Sequence, residues 1–224
     1  GMADINKKIP GDKILFGFDV RGVGEANRVG LGKEGVDTFF SQLGNKAQDI
    51  FGATPFEIFR LGGDEFAIII KNNGEQTSTL LKEFTASAMQ LRDELLQIDD
   101  PRVQAAEQRL AVRGEMRKIF AENYGEDVGS RTEYINKLLE LFGDRAEKAK
   151  IIEQIRTADG QLDSGKLTLL LALKRLELGA QVSAEARRVL DFVGAVVHIG
   201  EKPDCSIITS ALGTIDKTTH RLKG

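Results

Sequence analysis

The chain has 224 residues, enough for one large domain or for one domain that carries a second. With 41% hydrophobic residues it can form a substantial core, and 29% charged residues suit a soluble surface. The formal net charge of -3 provides no broad attraction to nucleic acid or to an anionic membrane, so neither is expected as a partner. The single cysteine, Cys205, excludes an internal disulfide.

The chain shows no targeting or membrane-spanning pattern. Residues 3–12 are polar and charged and lack the apolar region of a signal peptide. The most apolar stretch, residues 167–178, contains charged residues and falls short of the roughly 18 apolar residues that span a bilayer. We therefore expect a cytoplasmic protein.

The first part of the chain, up to about residue 73, is rich in glycine and in β-forming residues. Residues 13–19 (KILFGFD) predict a buried strand that runs to an acidic residue. We expect a glycine-rich loop over residues 22–35. Apolar residues then recur at helical spacing from Val36 to Ile50, which predicts a helix that packs on the sheet.

Two further strands are predicted over residues 56–61 and 65–70. The tripeptide Gly62-Gly63-Asp64 lies between them. Because glycine-containing connections of this length join antiparallel strands, the pattern indicates a β-hairpin.

Residues 74–190 contain almost no strand pattern. An apolar stripe at spacings of three and four begins at Leu80 and predicts a long helix. Asp100-Pro101 then places a capping residue before a proline at a first helical position. Further helices are expected over residues 103–120, 133–142, 146–155, 167–178 and 184–193. Together these segments predict a bundle of antiparallel helices.

The last part of the chain returns to mixed character, with a strand predicted over residues 195–199 and a helix over 206–222. This order predicts an α+β fold in which one sheet domain, residues 1–73 and 191–224, is interrupted by an all-α insertion, residues 74–190. Such an insertion is tolerated because the entropy of loop closure grows only with the logarithm of length.

The most informative motif is the run from Arg60 to Phe66 (RLGGDEF). Its two glycines allow a sharp turn and the close approach of a ligand to the backbone. The adjacent acids Asp64 and Glu65 offer oxygen ligands to a hard cation such as magnesium. An ordinary hairpin turn with solvated acids would have the same pattern.

The run from Arg60 to Ile70 (RLGGDEFAIII) resembles the signature hairpin of GGDEF domains, the diguanylate cyclase family. Residues 14–19 resemble the family's strand that ends in a metal-binding aspartate, and Asn27 stands where the family has a guanine-binding asparagine. Residues 196–200 and 215–223 resemble its last strand and helix. The resemblance implies a GGDEF-like fold, with the ferredoxin-like sheet of nucleotidyl cyclases, which contains antiparallel strands.

The resemblance implies a reaction in which two GTP molecules, held by two facing domains of a homodimer, form cyclic di-GMP. Asp19 and Asp64 would hold Mg²⁺, with the carbonyl group of Val20 assisting. Asp64 and Glu65 would be the catalytic acids. Such phosphoryl transfer depends on in-line positioning and on cations that neutralise phosphate charge.

The resemblance also implies the nucleotide contacts. Gly22 would present its backbone N–H to a phosphate, and Asn27 would contact the guanine edge. Gly62 and Gly63 would let the nucleotide approach the turn, and Lys223 would reach a terminal phosphate as a mobile point charge.

Several positions depart from the family's pattern. Arg21 replaces a common second aspartate, and Gly24 replaces a lysine. Val36 replaces a guanine-recognising aspartate, which removes a charged hydrogen bond of about 1.5–3 kcal/mol. The dozen residues before the first strand also leave little room for the helix that precedes it in the family.

Three functions therefore stay open. The chain is a divergent diguanylate cyclase, or it is a catalytically inactive GGDEF-like module that binds GTP or a related nucleotide. It is otherwise an interaction protein with an empty cleft. In the last two cases the helical insertion would contact a protein partner.

Two other patterns are interpreted as structural features without a functional role. The segment from Asp159 to Asp163 (DGQLD) hints at a calcium loop but lacks its final glutamate, so a turn between helices is expected. His198 is interpreted as a strand residue without a catalytic role.

Overall fold

A computed structural model describes residues 2–97, 99–127, 129–180 and 189–223, without the side chains of residues 2, 3 and 220–223. These residues form an α+β structure with one antiparallel sheet. In chain order its elements are α1 (Met2–Lys8), β1 (Lys13–Arg21), α2 (Val23–Arg28), α3 (Gly32–Phe51), β2 (Phe56–Arg60), β3 (Glu65–Lys71), α4 (Glu75–Leu96), α5 (Pro101–Tyr124), α6 (Arg131–Phe142), α7 (Lys148–Ile155), α8 (Ser164–Glu177), β4 (Asp191–His198) and α9 (Cys205–Lys223).

The chain forms two compact units. The first comprises Gly1–Gln104 and Arg188–Lys223, and the second comprises Ala105–Arg187. The sequence had suggested an insertion over residues 74–190, but α4 lies in that range and belongs to the unit that contains the sheet. In the part of the chain that the structure describes, no helix combines the length and apolar character needed to cross a membrane.

The sheet has the strand order β2-β3-β1-β4, and every neighbouring pair is antiparallel. β1 lies in the interior of the sheet, which fits its almost continuous run of buried residues. It pairs with β3 from Lys13↔Lys71 to Asp19↔Glu65 and with β4 on its other side. Both ends of β1 are thereby held between two strands.

One face of the sheet carries a cluster of aromatic side chains. The ring of Phe18 lies 5.3 Å from that of Phe66 and 5.8 Å from that of Phe84, which α4 contributes. Phe40 of α3 packs 5.1 Å from Phe66, and Phe51 of α3 packs 5.4 Å from Phe84. Because large aromatic surfaces dominate burial energetics, this cluster fixes α3 and α4 on the sheet.

The opposite face is covered by apolar residues of α9 and of the segment that follows α1. Leu15 and Ile69 point from the sheet into a cluster that includes Ile9, Ala211 and Ile215. Since side chains alternate between faces along a strand, Leu15 shares its face with Gly17 and Asp19. Asp19 therefore lies on the α9 side of the sheet.

The second unit has its own apolar core. Residues of α5 to α8 form one buried cluster, and α8 packs against α6 and α7. Ser130 caps α6 by accepting a hydrogen bond from the N–H of Glu133. Asp163 caps α8 by accepting hydrogen bonds from Gly165 and Lys166, so the acidic segment before α8 is a helix–helix turn, as expected.

Two predicted segments were wrong in part, and one helix was not predicted. Residues 22–35 contain α2 and the start of α3 in place of a continuous loop. The helix expected over residues 184–193 is replaced from Asp191 by β4, because this segment pairs with β1; residues 184–188 lie outside the described residues. A short helix, Met2–Lys8, also precedes the first strand although none was predicted.

Candidate functional site

The candidate site lies where β1 ends beside the turn between β2 and β3. Asp19 and Glu65 are direct partners in the antiparallel pairing of β1 with β3, so their side chains are neighbours on one face of the sheet. Asp19 is buried, with 5% of its surface exposed, whereas Glu65 is exposed. The N–H of Val20 donates to the carbonyl group of Asp64 at 2.9 Å. The structure thus pairs the side chains of Asp19 and Glu65 and brings the backbone of Asp64 to that of Val20.

Arg60 holds the turn itself. Its Nη2 donates to the carbonyl oxygen of Gly63 at 2.6 Å, and its Nε lies 3.3 Å from that of Gly62. The guanidinium also stacks 4.5 Å from the ring centroid of Phe40. The backbone of the turn is closed by a hydrogen bond of 2.9 Å from the Leu61 N–H to the Glu65 carbonyl group. The turn is therefore ordered by the chain's own contacts.

Gly62 and Gly63 leave the approach to this turn open. Neither is among the glycines with a positive φ, so the backbone of the turn does not itself require glycine. A Cβ atom on Gly63 would meet nothing within 4 Å, and one on Gly62 would lie 3.2 Å from Oε2 of Glu65. What the two glycines provide is space beside the acidic residues.

A cavity of about 470 Å³ adjoins the two paired acids. Asp19 and Glu65 line one side, and α9 contributes Asp216, Thr219 and Gly213 to the other. Asp216 was noted in the sequence only through the family's final helix, and the fold places it on the same cavity. The volume of this cavity lies within the range of small-molecule binding sites.

Two of the residues expected to contact the nucleotide, Gly22 and Asn27, lie on or next to α2. Gly22 follows β1 directly and precedes α2 with φ 73°, a left-handed conformation that favours glycine. Asn27 is exposed on α2. Neither is among the residues that line the 470 Å³ cavity. Lys223 is the last residue of α9, and its side chain lies outside the described residues.

Arg21 and Val36, which depart from the family's pattern, each occupy a defined place in the fold. Arg21 is the register partner of Asp191 in β4, on the same face of the sheet as Asp19. Val36 is buried with 5% exposure, as an apolar residue of α3. Asp37 follows it but is exposed, so it does not take the place of a carboxylate at position 36.

Metal binding at the site would rest on few protein ligands. Within residues 2–97, 99–127, 129–180 and 189–223, no three His, Cys, Asp or Glu side chains form a group that could hold a metal ion. A magnesium ion often takes only one or two carboxylates and completes its shell with water and substrate phosphates. Asp19 and Glu65, as neighbours beside an open cavity, fit that kind of site.

Sequence reasoning missed a polar cluster at the other end of the sheet. His198, at the end of β4, bonds through Nε2 to both carboxylate oxygens of Asp12, at 2.7 and 2.8 Å. Asn72 donates to the same carboxylate at 2.7 Å. These bonds hold the pKa of Asp12 below its ordinary value, with the bond from His198 as the largest cause. No motif joins residues so far apart in sequence.

Comparison with family models, with curated protein sequences and with solved structures finds no match to this chain. The GGDEF resemblance therefore rests on the residues from Arg60 to Ile70 and on the positions around Asp19, Asn27 and Asp216.

Proposed function

We propose that this chain is a divergent GGDEF-type domain that binds GTP with a divalent cation where β1 meets the β2–β3 turn. The observation that carries the proposal is the register pairing of Asp19 with Glu65, beside the backbone bond from Val20 to Asp64. The motif was chosen from sequence alone, and its second acid, Glu65, lines an open cavity together with Asp19.

The topology supports the same proposal. From β1 to β4, the sheet unit has α2 and α3 after β1, then the hairpin of β2 and β3, then α4, and β1 lies between β3 and β4 in the sheet. This is the arrangement of the split βαβ, or ferredoxin-like, motif, on which a nucleotidyl-cyclase-like sheet is built. Fold alone does not specify activity, so the argument for GTP rests on the site.

Each residue of the site would have a separate task. Asp19 and Asp64, with the Val20 carbonyl group, would hold Mg²⁺, which neutralises phosphate charge when bound. Glu65 would extend the anionic surface on the same face as Asp19. The backbone N–H of Gly22 would donate to phosphate, and Asn27 would contact the base.

Binding without turnover is the activity that we infer. Arg21 brings a positive charge to the face that holds Asp19, and Val36 offers no carboxylate to guanine. Diguanylate cyclase activity in a homodimer is the second candidate, and the intact acidic pair supports it. Chromatography of a reaction with GTP and Mg²⁺ separates the two, because only a cyclase yields cyclic di-GMP.

The test of binding is thermal. A ligand that binds only the native state at 100 times its Kd stabilises it by about 2.7 kcal/mol. For a chain of this size we expect GTP with Mg²⁺ to raise the Tm by roughly 5–10 °C. Asp64→Asn should reduce this rise, whereas Asp49→Asn, an exposed aspartate of α3, should not.

Absence of a shift at millimolar GTP, in the presence of Mg²⁺, would refute the proposal. So would an Asp64→Asn protein whose response to GTP equals that of the wild type. Glu65→Gln and its control Glu83→Gln, an exposed glutamate of α4, repeat the comparison on the second acid.

A further inference from the structure

Arg102, at the start of α5, reaches the turn that follows Asn27. The turn ends α2, and the Gly30 N–H donates to the Asn27 carbonyl group at 3.3 Å. Gly30 has φ +100°, and a Cβ atom built on it would lie 3.6 Å from Nη1 of Arg102. Asn27, Gly30 and Arg102 all belong to the first unit.

Asp100 orients this arginine. Nε of Arg102 lies 3.1 and 3.0 Å from the two carboxylate oxygens, and Nη2 lies 2.6 Å from Oδ2. The carboxylate also accepts the backbone N–H of Arg102 at 2.8 Å, which fixes it at the start of α5. Because Arg102 donates to it, the pKa of Asp100 lies below its usual value, and the pair stays ionised at neutral pH.

The carboxylate of Asp100 accepts hydrogen bonds from only one side of the guanidinium group of Arg102. Nε and the adjacent N–H of Nη2 face the carboxylate, so the terminal N–H groups of Nη1 and Nη2 point away from it. The side chain of Arg102 is 71% exposed and that of Asp100 only 19%. Arg102, which Asp100 holds in place, thereby presents a planar pair of donors to a ligand.

In this chain, recognition of guanine requires a polar group other than the carboxylate that the family uses. The position of the family's guanine-binding carboxylate holds the buried Val36, so the N–H donors of guanine find no charged acceptor there. The other edge of the base carries two acceptors, O6 and N7, which arginine recognises with two parallel hydrogen bonds. Adenine presents an amino group in place of O6 and would face the guanidinium with a donor.

We propose that Arg102 selects guanine by donating its terminal N–H pair to O6 and N7 of a base held at Asn27. This inference rests on the proposed function, and it assigns base specificity to a residue outside the GGDEF-like motifs. Asp100 is the positioning residue that holds the donor pair in place.

The experiment measures the Kd of GTP, ATP and 7-deaza-GTP, which lacks N7, by calorimetry in the presence of Mg²⁺. The wild type should bind GTP about 5- to 150-fold tighter than ATP, and 7-deaza-GTP more weakly than GTP. Arg102→Ala should remove both differences. Arg102→Lys keeps the charge but loses the planar donor pair, so it should also lose the preference. Arg145→Ala removes an exposed arginine of the second unit and should preserve it.

Several results would overturn the inference. If Arg102→Ala keeps the wild-type ratio of GTP to ATP affinity, the arginine does not select the base. An equal loss for both nucleotides would assign it to phosphate. Equal affinity of the wild type for GTP and for 7-deaza-GTP would also refute the inference. This measurement does not depend on whether the variants fold. These outcomes differ from failure of the proposed function, in which the wild type binds none of the three nucleotides.

Discussion

At the scale of single residues, charged groups close both ends of the central strand. Asp19 pairs with Glu65 at one end of β1. Asp12 precedes the other end and bonds to His198, the last residue of β4, and to Asn72, which follows β3. Lys13 is buried beside it and donates to the carbonyl group of Gly11 at 2.8 Å. One end places the exposed Glu65 beside the buried Asp19 at an open cavity, whereas the polar groups at the other end bond to one another.

The bonds to Asp12 predict a dependence of stability on pH. Since the pKa of Asp12 is lowered in the folded protein from 3.8, its contribution is present above that pH and lost as the pH falls through the lowered value. His198→Ala should raise the pKa of Asp12 toward 3.8, as measured by NMR titration of its carboxyl carbon. It should also lower the Tm at pH 5, and this difference from the wild type should shrink below pH 3.8.

The control for this prediction is His220→Ala, which removes the chain's other histidine. It should leave the titration of Asp12 unchanged. An Asp12 pKa that is the same with and without His198 would show that the bond does not determine it.

At the scale of elements, the contact between β1 and α9 positions one side of the cavity. Gly17 of β1 lies under Ile215 of α9, so closely that a Cβ atom on Gly17 would be 2.7 Å from Cγ2 of Ile215. The next residue of α9, Asp216, lines the cavity together with Asp19. Glycine at position 17 thus sets how near α9 approaches the acidic end of the strand.

Gly17→Ala should therefore destabilise the protein. Overpacking of this kind costs about 1–3 kcal/mol, and we expect the Tm to fall by roughly 3–10 °C in a thermal melt. Gly213→Ala is the matched control, because it lies within α9 and a Cβ there meets nothing within 4 Å. Alanine should be neutral or stabilising at that position.

A second substitution tests the cause. Ile215→Ala in the Gly17→Ala background removes the atoms that the new methyl group would meet, so part of the lost stability should return. A double variant as unstable as the sum of the two single changes would show that the steric contact is not the reason.

At the scale of the whole molecule, the two units have separate apolar cores. α4 belongs to the sheet unit: Phe84 is buried in the aromatic cluster, and Nε of Arg92 donates to the carbonyl group of Val189 at 2.7 Å. The unit boundary therefore falls after Gln104, and the segment that can be removed is shorter than residues 74–190.

Deletion of residues 105–187, replaced by a flexible linker, should leave a folded protein with the same response to GTP. Deletion of residues 74–190 removes Phe84 and Arg92, so it should abolish cooperative unfolding. Circular dichroism melts with and without GTP measure both effects. If the shorter deletion fails to fold, the first unit depends on the second for its stability.

Much of the fold could be predicted from local pattern. The strand from Lys13, the hairpin around Gly62-Gly63 and the helices α3 to α8 each have the spacing of buried apolar residues that their structure requires. α2 was missed because glycines at positions 22, 24, 30 and 32 suggested a loop, although six residues between them are helical. β4 was assigned to a helix in part, because a short apolar run does not by itself distinguish the two.

The sequence by itself predicted the candidate site, because Asp64 and Glu65 follow two glycines and Asp19 ends the predicted first strand. It also determined the α+β class and the helical middle of the chain. Only the tertiary structure decided which residues meet. Strand register placed Asp19 beside Glu65, the packing of α9 added Asp216, and the start of α5 brought Arg102 to Gly30. Such contacts join residues far apart in the chain, and periodicity describes only neighbours along it.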